Sequence, residues 1–304
     1  MRLSRWGQSP YETDDDMALE RCALEQHVDV CSRGVDAEII VVHSKVPMGH
    51  AEHLRAPSVK LVLTTTSGTD HIDREHFRSH GVTVARLPEA RRDAVVDTTV
   101  GGLIWGMRRL GALQQRADEG TWARAELPSL APVGLRDARI GVVGLGVIGS
   151  RLSEVLMAMG ATVFGVDPSG LPSGVRGSSL GWMLSECDAL SLHCDLNATT
   201  LGLLDATVLA QAHRDLVLVN TARGPIMDAR VAIDMARSGR LGAVALDVFP
   251  VEPWSDMGAG VGVSNVMLMP HAAGYHRGLA QAVRDGLVRA VMAFAGGHDV
   301  PHTV

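Results

Sequence analysis

Aromatic residues make up only 4% of this 304-residue chain, so its interior must be filled by aliphatic side chains. Cysteine is scarce as well. Cys22, Cys31, Cys187 and Cys194 form no CxxC pair and no zinc-type spacing, which excludes a disulfide scaffold and reads as reduced thiols. Basic charge is not in excess, since 28 Lys and Arg stand against 34 Asp and Glu for a net charge of −6. The cations are also scattered, so no nucleic acid and no anionic membrane is expected as a partner. Long apolar runs are missing too: the uncharged stretch Met257–Tyr275 is broken by Ser, Asn, Pro, His and glycines, and no transmembrane segment is expected. The acidic run Asp14, Asp15, Asp16 precedes any apolar stretch long enough for a signal-peptide core, so a cytoplasmic location is expected.

What is present is ample core material, 46% hydrophobic against 20% charged, together with 33 glycines. Disorder is thereby excluded as the main state. A chain of this length exceeds the usual span of about 100–200 residues per domain, which predicts two domains and a cleft.

Short β-rich apolar runs alternate with helix-like segments, the pattern of parallel α/β architecture. From Arg139 onward the runs are Ile140–Val143, Thr162–Val166, Ala189–Leu192, Leu216–Val219, Ala243–Leu246 and Val266–Met269, which predicts six strands. A looser series around Glu38–Val42, Lys60–Thr64 and Val82–Val84 predicts a smaller α/β unit. Asp93 is placed to cap a helix through Val95, Val96, Val100, Leu103, Ile104, Met107 and Leu110 that bridges the domains. The segment Gly278–Ala295 carries Leu279, Val283, Leu287, Val291 and Phe294 on one helical stripe and can return to the N-terminal unit.

Gly144-Leu145-Gly146-Val147-Ile148-Gly149 follows the run ending at Val143 and precedes a helical pattern, the strand–turn–helix context of a dinucleotide loop. Gly144 permits the tight turn, Gly146 lets a pyrophosphate approach the backbone, and Gly149 allows close helix packing. The first-turn N–H groups at Val147 and Ile148 face the phosphates. Asp167 closes the next run about 20 residues on, where a carboxylate accepts hydrogen bonds from the adenosine ribose and repels a 2′-phosphate. NAD is therefore expected as the cofactor rather than NADP, with Arg176 the nearest basic residue to a 2′-phosphate.

Ligands of open parallel sheets lie beyond the carboxyl ends of the strands. There the chain reads Asn220-Thr221-Ala222-Arg223-Gly224, then Asp247-Val248-Phe249-Pro250-Val251-Glu252-Pro253, then Pro270-His271-Ala272-Ala273-Gly274. An arginine, two carboxylates and a histidine converge on one rim.

In that order after GLGVIG, the motifs NTARG, LDVFPVEP and PHAAG closely resemble the D-isomer-specific 2-hydroxyacid dehydrogenase family, and the resemblance covers nearly the whole chain. Ser67-Gly68-Thr69-Asp70-His71-Ile72-Asp73 resembles the family's substrate loop. The resemblance implies a Rossmann-type doubly wound sheet with a smaller flavodoxin-like α/β domain, divided as residues 1–94 plus 275–304 for substrate and 95–274 for NAD, and a homodimer. It implies that Arg223 holds the 2-oxo acid, that His271 is the catalytic histidine paired with Glu252, and that Asp247 faces the nicotinamide. Cys194 and Thr200 on the turn after Leu192, with Thr221, Ala222 and Gly274, are the further cofactor contacts it implies. Ser67 and Gly68 offer main-chain N–H groups to the substrate carboxylate.

The chemistry agrees with those roles. Reducing a 2-oxo acid needs a hydride and a proton for the forming alkoxide, and histidine exchanges protons near neutrality. Glu252 is expected to favour the imidazolium and orient its ring. Relatives that oxidise formate carry glutamine there, so the glutamate favours hydroxy-acid chemistry. Arg223 offers a planar fork of donors that matches a carboxylate and polarises the adjacent carbonyl.

Some positions depart from the family pattern. A glycine and an asparagine usually follow the proline matching Pro88, where this chain reads Glu89-Ala90-Arg91-Arg92-Asp93; Arg91 with Arg92 can bind a second anionic group on the substrate. Asp195 stands where a proline is common, and Ser153 replaces an alanine that a hydroxyl bonded to the preceding turn accommodates. His76 and His80 lie at i, i+4, but no third ligand is suggested and the neighbours Arg74 and Arg78 oppose a cation; with His50 and His53 they read as a solvated face, so no metal is expected. The expected function is NAD-dependent oxidoreduction of a small D-2-hydroxy acid and its 2-oxo acid. The alternatives are a dehydrogenase for a phosphonate- or phosphate-bearing substrate and a non-catalytic NAD-sensing protein like the family's corepressors.

Overall fold

The computed structural model describes residues 1–31 and 35–304, which form two compact units, Met1–Arg92 with Tyr275–Val304 and Asp93–Gly274. The first is built on β1 (Arg2–Trp6), β2 (Asp29–Cys31), β3 (Ile39–Val42), β4 (Leu61–Thr64) and β5 (Thr83–Arg86), in the order β2-β1-β3-β4-β5. All these pairings are parallel, and this is the flavodoxin-like strand order. Every residue of β3 and β4 is buried, because a parallel sheet covered on both faces leaves no solvent side to alternate with. One face packs Leu3, Ile39, Leu61 and Leu63 against Leu279, Val283, Leu287 and Val291 of the helix Leu279–Ala295. The other packs Trp6, Ile40, Val42 and Val62 around the fully buried Phe77.

Two strands of this sheet are additional to those read from sequence. β2 has only three residues, and β1 (RLSRW) contains Arg5, whose buried guanidinium is held by Glu12 at 3.0 Å and Glu20 at 3.3 Å.

The second unit contains β6 (Arg139–Val143), β7 (Thr162–Val166), β8 (Arg176–Gly177), β9 (Ala189–Leu192), β10 (Val217–Asn220), β11 (Ala243–Leu246) and β12 (Val266–Leu268). Their order, β12-β11-β10-β9-β6-β7-β8, is the doubly wound Rossmann arrangement, with the switch between β6 and β9. The seventh strand, β8, is a two-residue edge strand too short to show a pattern.

Asp93 does not cap its helix. The helix spans Glu89–Met107, beginning directly after Pro88, and Asp93 sits inside it, 3.2 Å from Arg151. Proline presets the backbone angle of a first turn, whereas the apolar period becomes visible only at Val95, once the polar residues have passed. Leu110 belongs to a separate helix, Leu110–Asp118, after a left-handed Arg109 (φ 56°). No helix among the described residues is long and apolar enough to cross a membrane, and the four cysteines are free thiols.

Burial pushes the Glu20 carboxyl up to about 7, with the charge of Glu12 adding to the effect and Arg5 and Arg284 opposing it. Arg5 cannot reverse the shift because Glu12 already engages it through both carboxylate oxygens. The native state therefore keeps a proton that the unfolded chain releases near the ordinary carboxylate value, and stability falls as pH rises through that window. In urea denaturation at about pH 5 and about pH 8, Glu20→Gln is expected to gain about 1–3 kcal/mol relative to the parent between the two conditions. A difference that does not change with pH would contradict a proton held on Glu20.

Candidate active site

Register brings the site together. Val143 pairs with Val166 on one side and Leu192 on the other, Leu192 with Asn220, Asn220 with Leu246, and Leu246 with Leu268. The carboxyl ends of six parallel strands are thereby level, and the segments that follow them, beginning at Gly144, Asp167, His193, Thr221, Asp247 and Met269, leave from one edge of the sheet.

The glycine loop has the backbone its sequence calls for. Gly144 adopts φ +88°, and a Cβ there would lie 2.4 Å from the Cys194 nitrogen; at Gly149 it would lie 1.9 Å from the Gly144 oxygen. Side chains are thus excluded at both positions by backbone packing. At Gly146 a Cβ would meet nothing within 4 Å. The loop is open only where the helix Val147–Ala158 begins, and the N–H groups of that first turn, Val147 and Ile148 among them, have no upstream helical carbonyl to bond. This combination fits a pyrophosphate. Ser153 donates to the Gly149 carbonyl at 2.8 Å, one turn back.

Asp167 ties the loop to the next strand end. Its Oδ2 accepts from the Leu145 N–H at 2.6 Å and its Oδ1 from the Ser169 N–H at 2.7 Å. Each carboxylate oxygen has a second lone pair, so capacity for ribose hydroxyls is left. Arg176 lies over the Phe164 ring, 5.8 Å from its centroid. On the turn after β9, burial drives the Cys194 thiol up to about 11 and keeps the His193 imidazole neutral, down at about 4. Thr200 donates to the Asp195 carbonyl at 2.6 Å and accepts from the Asn197 N–H at 2.9 Å, closing that turn.

His271 sits in the left-handed region at φ 54°, a conformation found at sites where the surroundings over-determine the backbone. Those surroundings are Asp247. Only 1% exposed, it accepts from the N–H groups of Ala272 at 2.7 Å and Ala273 at 2.9 Å, and its own carbonyl accepts from the His271 N–H at 2.8 Å. Three hydrogen bonds from one residue aim the histidine.

The ring Nδ1 of His271 lies 2.6 Å from Glu252 Oε2, while Glu252 Oε1 accepts from the Phe249 N–H at 3.0 Å. Burial alone would push the Glu252 carboxyl up. The hydrogen bonds from His271 and Phe249 and the charges of His271 and Arg223 outweigh it and hold the group below its usual range. Arg223 donates to the Ala222 carbonyl at 2.7 Å. Two residues that sequence reasoning passed over support it. Asn220 grips the turn, donating to the Arg223 carbonyl at 3.1 Å and accepting from the Ala222 N–H at 3.0 Å. Gly224 lets the β10 loop press against the β11 loop, since a Cβ there would fall 1.9 Å from the Phe249 carbonyl carbon. Neither shows a signal beyond its motif, because both act through backbone crossings. Thr221 is bonded to Thr99 at 3.1 Å, and Gly274 ends the segment that begins at His271.

In the first unit the carbonyl of Ser67 accepts from Arg86 at 3.0 Å and that of Gly68 from Thr66 at 3.0 Å, which orders the loop. Arg91 donates to the Thr65 carbonyl at 2.5 Å. His76 and His80 are joined by His53, a third imidazole that sequence spacing did not suggest.

Residues 100–273, more than half of the chain, match the family described as D-isomer specific 2-hydroxyacid dehydrogenase, NAD binding domain. The chain is 32% identical over 274 residues to erythronate-4-phosphate dehydrogenase of Pseudomonas fluorescens, covering 87% of this chain and 63% of that protein. It is 27% identical to D-3-phosphoglycerate dehydrogenase of Mycobacterium tuberculosis, covering 88% of this chain and 51% of that one. It thus spans about half to just under two thirds of the length of these relatives. Its fold resembles D-lactate dehydrogenase from Aquifex aeolicus complexed with NAD and lactic acid, with a TM-score of 0.82 at 23% identity over 98% of this chain and 96% of that one. With the glycine loop, Asp167 at the next strand end and the polar segments on one sheet edge, the chain belongs to the D-isomer specific 2-hydroxyacid dehydrogenase family and carries its NAD binding domain.

Proposed function

We propose that the chain interconverts a 2-oxo acid and the corresponding D-2-hydroxy acid, with His271 as acid/base, Glu252 as its partner and Arg223 as the substrate anchor. The observation that carries this reading is the 2.6 Å contact between His271 Nδ1 and Glu252 Oε2. With Glu252 ionised, Nδ1–H donates to the carboxylate and leaves Nε2 to exchange a proton with the substrate oxygen. In reduction the Nε2 proton passes to the oxygen as the carbonyl carbon is reduced; in oxidation the neutral Nε2 removes it. Bound NAD(H) supplies or takes up the hydride.

Arg223 presents a planar donor fork to the substrate carboxylate and draws electron density from the adjacent carbonyl. Asp247 acts as a positioning residue through its hold on the His271 segment. Gly144, Gly146, Val147, Ile148, Gly149 and Asp167 would hold the cofactor, with contacts from Cys194, Thr200, Thr221, Ala222 and Gly274. Ser67 and Gly68 as main-chain donors to the substrate, and assembly as a homodimer, belong to the same reading.

Arg91 favours a second reading of the substrate. Two relatives are named as dehydrogenases of phosphorylated hydroxy acids, and Arg91 and Arg92 bring two guanidinium groups to the stretch after Pro88, Glu89-Ala90-Arg91-Arg92-Asp93, in which the family usually has a glycine and an asparagine. A phosphate or distal carboxylate on the substrate suits such groups through charge-assisted hydrogen bonds.

Replacing His271 by alanine is expected to lower turnover by about 10²–10⁴ while leaving NADH affinity nearly unchanged. Comparable losses in both would remove His271 from its role. Turnover that is negligible with every 2-oxo acid, alongside intact NADH binding, would point instead to a non-catalytic sensor. For the substrate, kcat/KM on paired 2-oxo acids with and without a distal phosphate should diverge between parent and Arg91→Ala by about 10-fold or more. Equal ratios in the two proteins would dismiss the phosphate reading.

A further inference from the structure

We propose that His53, His76 and His80 form a binding site for a divalent transition ion of the zinc, nickel or copper class, a site the dehydrogenase chemistry does not use. One ring nitrogen from each histidine lies within 4.8 Å of the others, and His53 Nδ1 stands 2.9 Å from His76 Nε2. Ligand nitrogens about 2.0–2.1 Å from a tetrahedral ion are roughly 3.3 Å apart, so side-chain rotation that parts the His53–His76 pair slightly and draws His80 in brings the set to that spacing. Imidazole is the ligand that ions of this class favour, whereas magnesium and calcium require oxygen.

The backbone pre-organises the three rings. Met48 donates to the His71 carbonyl at 2.8 Å and accepts from the Asp73 N–H at 2.8 Å, a two-bond bridge that joins the chain just ahead of both histidine-bearing helices. The helix His50–Arg55 starts at Gly49, whose N–H donates to Glu52 at 3.1 Å; the helix Arg74–Ser79 is capped by Asp73, which accepts from the His76 N–H at 2.9 Å. Phe77, fully buried, anchors the second helix, and the rings of His53 and His76 both rest on it, at 5.5 and 5.3 Å.

The tautomer of His80 agrees with an ion. His80 Nδ1 lies 2.7 Å from the His76 carbonyl, which can only accept, so Nδ1 carries the hydrogen and Nε2 the lone pair. A metal-ligating histidine is typically fixed by such a second bond. Arg74 and Arg78 sit two residues from His76 on either side, and helical spacing turns them to the opposite face. His50 meets His76 edge-on at 5.4 Å but lies outside the three-nitrogen set, which leaves a fourth position to water.

The test is calorimetric titration of the chelator-treated full chain with zinc chloride. One ion per chain is expected, with a rise in thermal midpoint, and His53→Asn or His76→Asn should each weaken binding about 10-fold or more and abolish that rise. The exposed His298→Asn should bind as the parent does. Cobalt in place of zinc should show the intense visible bands of a tetrahedral centre. If His76→Asn fails to fold, the exposed His80→Asn carries the same expectation. Absence of saturable binding, or binding that survives these substitutions, would overturn the site.

Discussion

Parallel register is the constraint on which the second unit's chemistry depends. Because all its strands run the same way and their paired residues stay level from Val166 to Leu268, every turn that leaves a strand's carboxyl end starts from the same edge. Residues more than a hundred positions apart in the chain, such as Gly144 and His271, are therefore gathered without any long loop having to reach. An antiparallel pairing at any of these strands would send one of the turns to the far edge and divide the set.

Within that frame, carboxylates do much of the positioning. Asp247 and Asp167 each bind two main-chain N–H groups and so convert flexible turns into defined ones. Glu252 works differently, spending one oxygen on the Phe249 N–H and the other on the His271 ring. The glycines complement them by removing side chains where two backbones touch, at Gly149 against Gly144 and at Gly224 against Phe249. Charge sets orientation and missing side chains set distance.

The first unit uses the same α/β logic with a different surface. Its sheet carries the Ser67–Gly68 turn after β4, ordered by Arg86 and Thr66, and on another pair of helices it assembles the imidazoles of His53, His76 and His80. The buried Arg5, Glu12 and Glu20 group shows what burying charge in a small unit entails: one cation is shared by two carboxylates, and burial favours a proton on the less well served of them.

Much of this was legible in the order of residues. Buried parallel strands read as continuous apolar runs, so β3, β4, β6, β7, β9, β10, β11 and β12 all announced themselves, and motifs such as GLGVIG and PHAAG marked which turns mattered. Strands β2 and β8 were too short to form a pattern, β1 hides a buried arginine, and the start of the helix at Glu89 lies among polar residues that carry no periodic signal. Local sequence thus determined the strand and turn chemistry, since backbone angles and hydrophobic periodicity act over a few residues. Only the tertiary structure decided that Asp247 steers His271, that Gly224 lets two loops touch, and that His53 completes a trio with His76 and His80. Each of these depends on a contact between segments far apart in the chain, and such a contact exists only once packing has brought them together.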